Sequence, residues 1–418
     1  MIDVKLLRTA PEVIKDSLAR RGLELDVDAL GKLDAEHRAL LVQVETARAE
    51  QNSASKAIAK ASADDRAAAI TEAKRSSDAL KSIEEQLRTV KAGLDSSLAL
   101  VPNLLHPDSP AGFGEDANAV LSEPDTLPTF NFEARDHVWL GEATGVIDVE
   151  RAAKVSGSRF GFLKGKGALL ELALVNFAIA KVSARGFTPV IPPVLVREEA
   201  MYGTGFFPTD ETQTYKTATD DLFLAGTSEV PLASMHADET FDPELLPLRY
   251  AAFSSCFRRE AGTYGKDTKG IIRLHQFEKV EMFVFCRNDA SEEMHDEILS
   301  IEKEIFSALE IPYRVVEICA GDLGAPAYRK FDLEAWLPGA KRWLEITSCS
   351  NCTDYQARRL NIKTRTDSGQ EMVHTLNGTA VAVQRAIVSL LENHQRSDGS
   401  VVLPPALAEV AGFDTIGP

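Results

Sequence analysis

The sequence predicts an α+β fold, an antiparallel sheet flanked by helices, preceded by an N-terminal antiparallel α-helical coiled-coil arm. Three observations carry that expectation. Between residues 33 and 94, apolar and small residues recur at alternating four- and three-residue spacing on both sides of one short polar break. Beyond residue 103, short β-branched and aromatic runs alternate with helical stretches, without the regular βαβ spacing of a doubly wound sheet. Neither GxxxxGK[ST] nor GxGxxG occurs, so neither usual nucleotide-binding loop is present. The 418 residues leave room for two or three domains. The expected division is an N-terminal domain over residues 1–103 and a second over residues 104–418.

Taken in order, Thr9-Ala10-Pro11-Glu12 reads as a capping box with proline in the first turn, and Gly22 should end the short helix it opens. The long pattern follows at Leu33, His37, Leu40, Val44, Ala47, Gln51, Ala54, Ile58 and Ala61. It resumes after Ala63-Asp64-Asp65-Arg66 at Ala69, Ala73, Ser76, Leu80, Ile83, Leu87, Val90 and Leu94. Heptads on both sides of a break imply a hairpin over about residues 28–100, projecting roughly 45 Å at ~1.5 Å per residue. The heptads alone suit a dimerisation coil or a spacer as well as a binding arm. Charge separates the regions: residues 28–100 hold 11 Lys or Arg against 12 Asp or Glu, while the chain as a whole carries −17. An arm close to neutral on an acidic body, with Arg48, Lys56, Lys60, Arg66, Lys74 and Arg75 towards its tip, suits contact with a polyanion through phosphates.

PNLLHPDSPAG after Val101 is a proline-rich linker. The opening MIDVKLL lacks the pattern of a signal peptide, and no uninterrupted apolar run reaches roughly 18 residues, so no membrane span is expected. Five cysteines spread over so long a chain fit a reducing, cytoplasmic setting. The single CxxC, Cys349 and Cys352, has no second pair at zinc-ribbon spacing.

Four stretches carry ionic groups inside what read as strands. In FRREAGTYGKDTKGIIRLHQFEKVEMF (257–283), alternation along a strand would put Arg258 and Glu260 on one face, with Glu281 near the end of the returning strand. Fixed guanidiniums clamp a carboxylate or phosphate bidentately. Lys266, Lys269 and Arg273 in the intervening loop add mobile cations. These residues alone also suit a salt-bridged surface hairpin. GTSEVPL (226–232) offers two hydroxyls and Glu229. WLEITSCSNCTDYQARR (343–359) places Glu345 and Ser348 three apart, and HTLNGTAVAVQRAIVSLLENHQ (374–395) runs from a small-residue strand into a helix bearing Arg385.

Together these segments resemble the signature motifs of class II aminoacyl-tRNA synthetases. ARGFTPVIPPVLV (184–196) resembles motif 1, FRRE with RLHQFEKVEMF motif 2, and NGTAVAVQRAIVSLLENHQ motif 3. The TSE, FRREAG, HQFEKVE, SCSNCTDYQARR and HTLNGT wording is similar to seryl-tRNA synthetases in particular, and the hairpin matches that family's N-terminal tRNA-binding arm. Gln384-Arg385 departs from the Glu-Arg favoured by the class, and Thr347 stands where a serine is expected.

The resemblance implies a class II catalytic fold, a homodimer, and attachment of L-serine to serine tRNA through a seryl-adenylate made from ATP with Mg²⁺. Serylation of selenocysteine tRNA is implied where a cell has one. Arg258, Glu260 and Arg385 would serve catalysis. Serine would meet Thr227, Ser228, Glu229, Arg258, Glu281 and Thr379. ATP would meet Arg258, Arg259, Glu260, Glu345, Ile346, Thr347, Ser348 and Arg385, with Glu345 and Ser348 on Mg²⁺. The tRNA, recognised by its long variable arm, would meet Arg48, Lys56, Lys60, Lys74, Arg75, Lys266, Lys269 and Arg273. A carrier-protein aminoacyl ligase, or a paralogue serving a pathway outside translation, is the alternative; such ligases lack the long arm.

Overall fold

The computed structural model describes residues 1–262 and 269–418. It contains two compact units, residues 2–102 and residues 103–418 together with Met1.

In the first unit, α1 (Pro11–Arg20) precedes two helices of 34 residues each, α2 (Val27–Lys60) and α3 (Arg66–Ala99). The capping box does not form. Thr9 closes a preceding turn, its hydroxyl donating to the Lys5 carbonyl at 3.1 Å, and Ala10 takes the cap position with Pro11 at the first turn. Asp26 caps α2 by accepting from the Ala29 N–H at 2.9 Å. Val44, Ala47 and Leu80 form the hairpin's buried seam, with Ile83 and Leu87 against it. Further out the seam turns polar, where Gln51 Nε2 donates to Ser77 Oγ at 3.2 Å. At ~1.5 Å rise, each helix runs about 50 Å.

The second unit is built on one eight-stranded sheet. Its strands are β1 (Ala119–Ser122), β2 (Thr188–Val190), β3 (Leu248–Phe257), β4 (Gln276–Cys286), β5 (Tyr313–Glu317), β6 (Arg329–Leu337), β7 (Arg342–Thr353) and β8 (His374–Ala382). They lie in the order β1-β5-β6-β7-β8-β4-β3-β2. Every neighbouring pair is antiparallel except the edge pair of β2 and β3. The edge is also where Pro189, with no N–H to donate, is tolerated.

Helices α4 (Lys166–Ala184), α5 (Ser291–Ala308) and α7 (Val383–Asn393) supply Leu174, Ile298 and Ile387 to the main core. Val280, Met282 and Val284 of β4 enter that core, while the alternate residues Phe283 and Phe285 enter a second cluster on the other face, with Leu232, Phe241 and Leu360. Along that second face β4 turns polar at Glu281 and Lys279, and there the cleft opens. Gly378 of β8 lies against α5: a Cβ would come within 2.2 Å of Ile298. The helix α4 is long and apolar enough to cross a membrane by length and composition. It carries Glu171 and Lys181, and it buries Leu170, Leu174, Phe177 and Val182 in the core. Leu169 and Leu172 remain exposed on it.

Candidate active site

A cleft of about 540 Å³ opens over the centre of the sheet. Arg258, Thr227, Glu229, Glu260, Glu281, Glu345, Ile346, Ser348, Thr379 and Arg385 all reach its wall, from segments spread between residues 227 and 385.

Arg258 sits just past the end of β3 and is held from several sides. Its N–H donates to the His275 carbonyl at 2.9 Å, and its own carbonyl faces His275 Nδ1 at 2.9 Å. Its Nε donates to the Gly226 carbonyl at 3.2 Å, and its guanidinium lies 5.2 Å from the Phe277 ring centroid. The next residues are tied to Gln213, which exchanges two side-chain bonds with the Ala261 backbone at 2.8 and 2.9 Å. Glu260 reaches the cleft by a different route from strand alternation, because β3 stops at Phe257. Glu260 takes a left-handed conformation, φ 50°, which costs a non-glycine residue about 1–3 kcal/mol and is held here by its surroundings.

Two β-bulges set the phase of the cleft wall. On β7, Thr347 pairs with Leu333 and Glu345 with Glu334, so Ile346 is the extra residue. Strict alternation would send Glu345 and Ser348 to opposite faces; the bulge brings both to the cleft, with Ser350 and Cys352 beyond them. On β8, Val381 pairs with Val280 and Thr379 with Glu281, leaving Ala380 extra. Asn377, Thr379 and Ala382 therefore face the cleft, and Ala380 and Val381 face the core.

The polar floor is dense. Glu281 pairs with Lys279, whose Nζ also donates to Thr227 Oγ1 at 2.8 Å. Thr379 Oγ1 lies 3.4 Å from Glu281. Glu229 Oε1 accepts from Gln356 Nε2 at 2.7 Å and Asn377 Nδ2 at 3.0 Å. Burial, then the Glu281 charge, push the Glu229 carboxyl up to about 7. At the other end, burial works to raise Glu345, but Arg385, Lys330 and Arg258 outweigh it and draw that carboxyl down to about 2. Arg385 Nη1 donates to the Glu345 carbonyl at 2.7 Å. An ionised carboxylate beside a serine hydroxyl is a donor set that fits a hard cation such as Mg²⁺, which keeps much of its shell for water and phosphate oxygens.

Several expected contacts fall elsewhere. Arg259 lines a separate shallow cleft with Glu198, Tyr215 and Lys216, since its neighbour Arg258 takes the inward position. Ser228 is buried and bonds Ser254 Oγ at 2.7 Å, away from the cleft. Thr347 does line the cleft, but its hydroxyl points to the core face and donates to buried Glu302 at 2.8 Å. Arg273 is a cleft residue paired with Glu260 at 2.7 Å, not a mobile loop cation. Lys269 is exposed, and Lys266 lies outside the described residues. On the hairpin, Arg48 pairs with Glu84 at 2.8 Å and Arg75 with Glu72 at 3.1 Å, whereas Lys56, Lys60 and Lys74 are exposed. Sequence reading missed Lys279, Gln356, Asn377 and Gln384. Lys279 was open to detection, because it shares the alternation that places Glu281.

A mainly antiparallel sheet carrying an arginine past one strand, another on the helix after β8, and an acid–hydroxyl pair on β7 is the core of a class II aminoacyl-tRNA synthetase. Residues 213–394 match the tRNA synthetase class II core domain (G, H, P, S and T), and residues 1–105 match the seryl-tRNA synthetase N-terminal domain. The serine--tRNA ligase of Thermobifida fusca is 51% identical over 420 residues, covering 100% of this chain and 99% of that one. The seryl-tRNA synthetase of Pyrococcus horikoshii, solved with ATP, superposes with TM-score 0.94 at 42% identity over 100% of both chains. The cytoplasmic enzyme of Naegleria fowleri, solved with AMP, gives 0.88 at 32% identity, covering 100% of this chain and 99% of that one. The chain belongs to the seryl-tRNA synthetase family.

Proposed function

We propose that this protein is a serine--tRNA ligase, which joins L-serine to serine tRNA through a seryl-adenylate at the expense of ATP. One observation carries the reading: a single cleft combines a guanidinium clamp, Arg258 and Arg385, with a buried floor of Thr227, Glu229, Glu281 and Thr379 suited to an ammonium and a hydroxyl. A serine carboxylate oxygen attacks the α-phosphorus of ATP, and the bond to pyrophosphate breaks. A hydroxyl of the tRNA 3′-terminal adenosine then attacks the serine carbonyl carbon, and AMP leaves. Neither step needs a protein nucleophile, so fixed position and fixed charge must supply the rate.

Arg258, locked by His275, Gly226 and Phe277, holds the serine carboxylate and the α-phosphate. Arg385 meets the γ-phosphate, and Glu260 accepts from the adenine amino group after sharing or releasing Arg273. Glu345 and Ser348 would hold Mg²⁺, which would supply neutralisation of phosphate charge. A floor that hydrogen-bonds a hydroxyl rejects alanine, whose methyl leaves buried polar groups unpaired. The exposed lysines near the hairpin tip and Lys269 meet tRNA phosphates, and the hairpin reads the long variable arm by shape. The apolar residues left exposed on α4, with Leu195 and the 86%-exposed Ile191 in the segment resembling motif 1, support a homodimer face. Five buried, unpaired cysteines support a cytoplasmic setting.

The decisive experiment is pyrophosphate exchange against all twenty amino acids, followed by aminoacylation of purified serine tRNA. Serine should exceed alanine by a factor on the order of 10⁴. Equal exchange with both, or transfer to a carrier protein in place of tRNA, rejects the reading.

A further inference from the structure

Lys279 is a cation in the buried floor, only 6% exposed. Its Nζ engages Glu281 and Thr227 Oγ1 together, the same two groups that a substrate ammonium needs. Along β4 it lies on the cleft face between Phe277, on which the Arg258 guanidinium rests, and Glu281. Its place on the strand therefore lies between the carboxylate end and the ammonium end of the amino-acid site, and its ammonium rests at the latter on a flexible four-carbon stem that can turn towards the former.

We propose that Lys279 is a specificity-determining residue that couples the two ends. A ligand's ammonium displaces it from Thr227 and Glu281, and the ligand's own carboxylate then becomes its partner. A buried ammonium stripped of its carboxylate is strongly disfavoured. An amine without a carboxylate thus evicts Lys279 and offers nothing in return, so the site selects amino acids over amines beyond what Arg258 contributes. This rests on the serine reading of the cleft.

The test is calorimetric binding of L-serine and of ethanolamine, which is serine without its carboxylate, to the wild-type chain and to Lys279→Met. Serine should bind the variant about tenfold more weakly, losing one charged partner, while ethanolamine should bind about tenfold more tightly, freed of its competitor. The opposite signs are the signature. A purely structural role would weaken both ligands together, and that result, or no change in either, overturns the proposal. Thermal midpoints show whether the variant is folded, and Lys279→Gln carries the same expectation should methionine not be accommodated. If the wild-type chain prefers a different amino acid, the serine reading has failed instead; that amino acid and its decarboxylated amine then form the pair on which Lys279 is judged.

Discussion

The cleft and the hairpin solve the handling of charge in opposite ways. In the cleft, the floor groups Glu229, Lys279 and Glu281 are buried, and even the exposed Arg258 is fixed by several partners. Glu229 has two amide donors, and Arg258 has a backbone clamp and an aromatic support. On the hairpin the cations stand in solvent, and the pairs they form, such as Arg48 with Glu84, are surface pairs worth about 0–1 kcal/mol. The buried arrangement does not reorganise when charge develops, so the loss of one group is felt in full. The exposed arrangement works by summing small, interchangeable contributions. Chemistry therefore belongs to the first, and grip on a long polyanion to the second.

The largest expected effect separates the two regions outright. Removing residues 28–100 and bridging the ends should leave serine-dependent pyrophosphate exchange within a few-fold of the full chain. Charging of serine tRNA should fall by a factor on the order of 10³, as phosphate contacts are lost. Full charging by the deleted form would make the hairpin a mere spacer. Next, Glu345→Ala and Arg258→Lys should each reduce exchange by about 10²–10³, the loss typical of one fixed electrostatic group. Near-normal exchange in either variant would mean that the cleft tolerates single losses as the hairpin does.

A third expectation concerns acidity. Because burial and Glu281 raise Glu229 to about 7, its carboxyl is ionised above that pH and neutral below it. Only the ionised form offsets a substrate ammonium. KM for serine should therefore rise as pH falls below 7, by at most about tenfold per unit, and Glu229→Gln should flatten that slope. A wild-type KM independent of pH between 5.5 and 8 would contradict the assignment. The smallest effect should come from Lys56, Lys60 and Lys74 changed together to alanine. Such a variant should keep exchange intact and bind tRNA with a salt slope shallower by roughly 2–3.

What the sequence disclosed follows the same divide. The hairpin is periodic and local, so its heptads foretold both helices, and the buried seam at Val44, Ala47 and Leu80 falls on them. The sheet order is set by pairings between distant segments, and no local pattern displays it. Motif words named the cleft segments but not the direction of each side chain. Arg259 and Ser228 stand beside true cleft residues and point elsewhere, Ser228 because it opens the helix Glu229–Ser234 and turns to Ser254. Gln356 and Asn377 looked like ordinary polar residues because their task, holding Glu229, exists only once α6 (Tyr355–Leu360) and β8 meet. The capping box failed for a local reason: Thr9 had already closed the turn before it.

The extra residue Ala380 carries a lesson about engineering. Excising it would let β8 run in step with β4, with an unbroken ladder and the loss of only one buried methyl. By the rules of sheet regularity alone the shortened strand is the better strand. Yet Thr379 would move about 3.3 Å relative to Arg385, and the two ends of the substrate would no longer be held at one time. A redesign guided by sheet regularity alone would thus select this deletion and arrive at a tidier ladder with no catalysis.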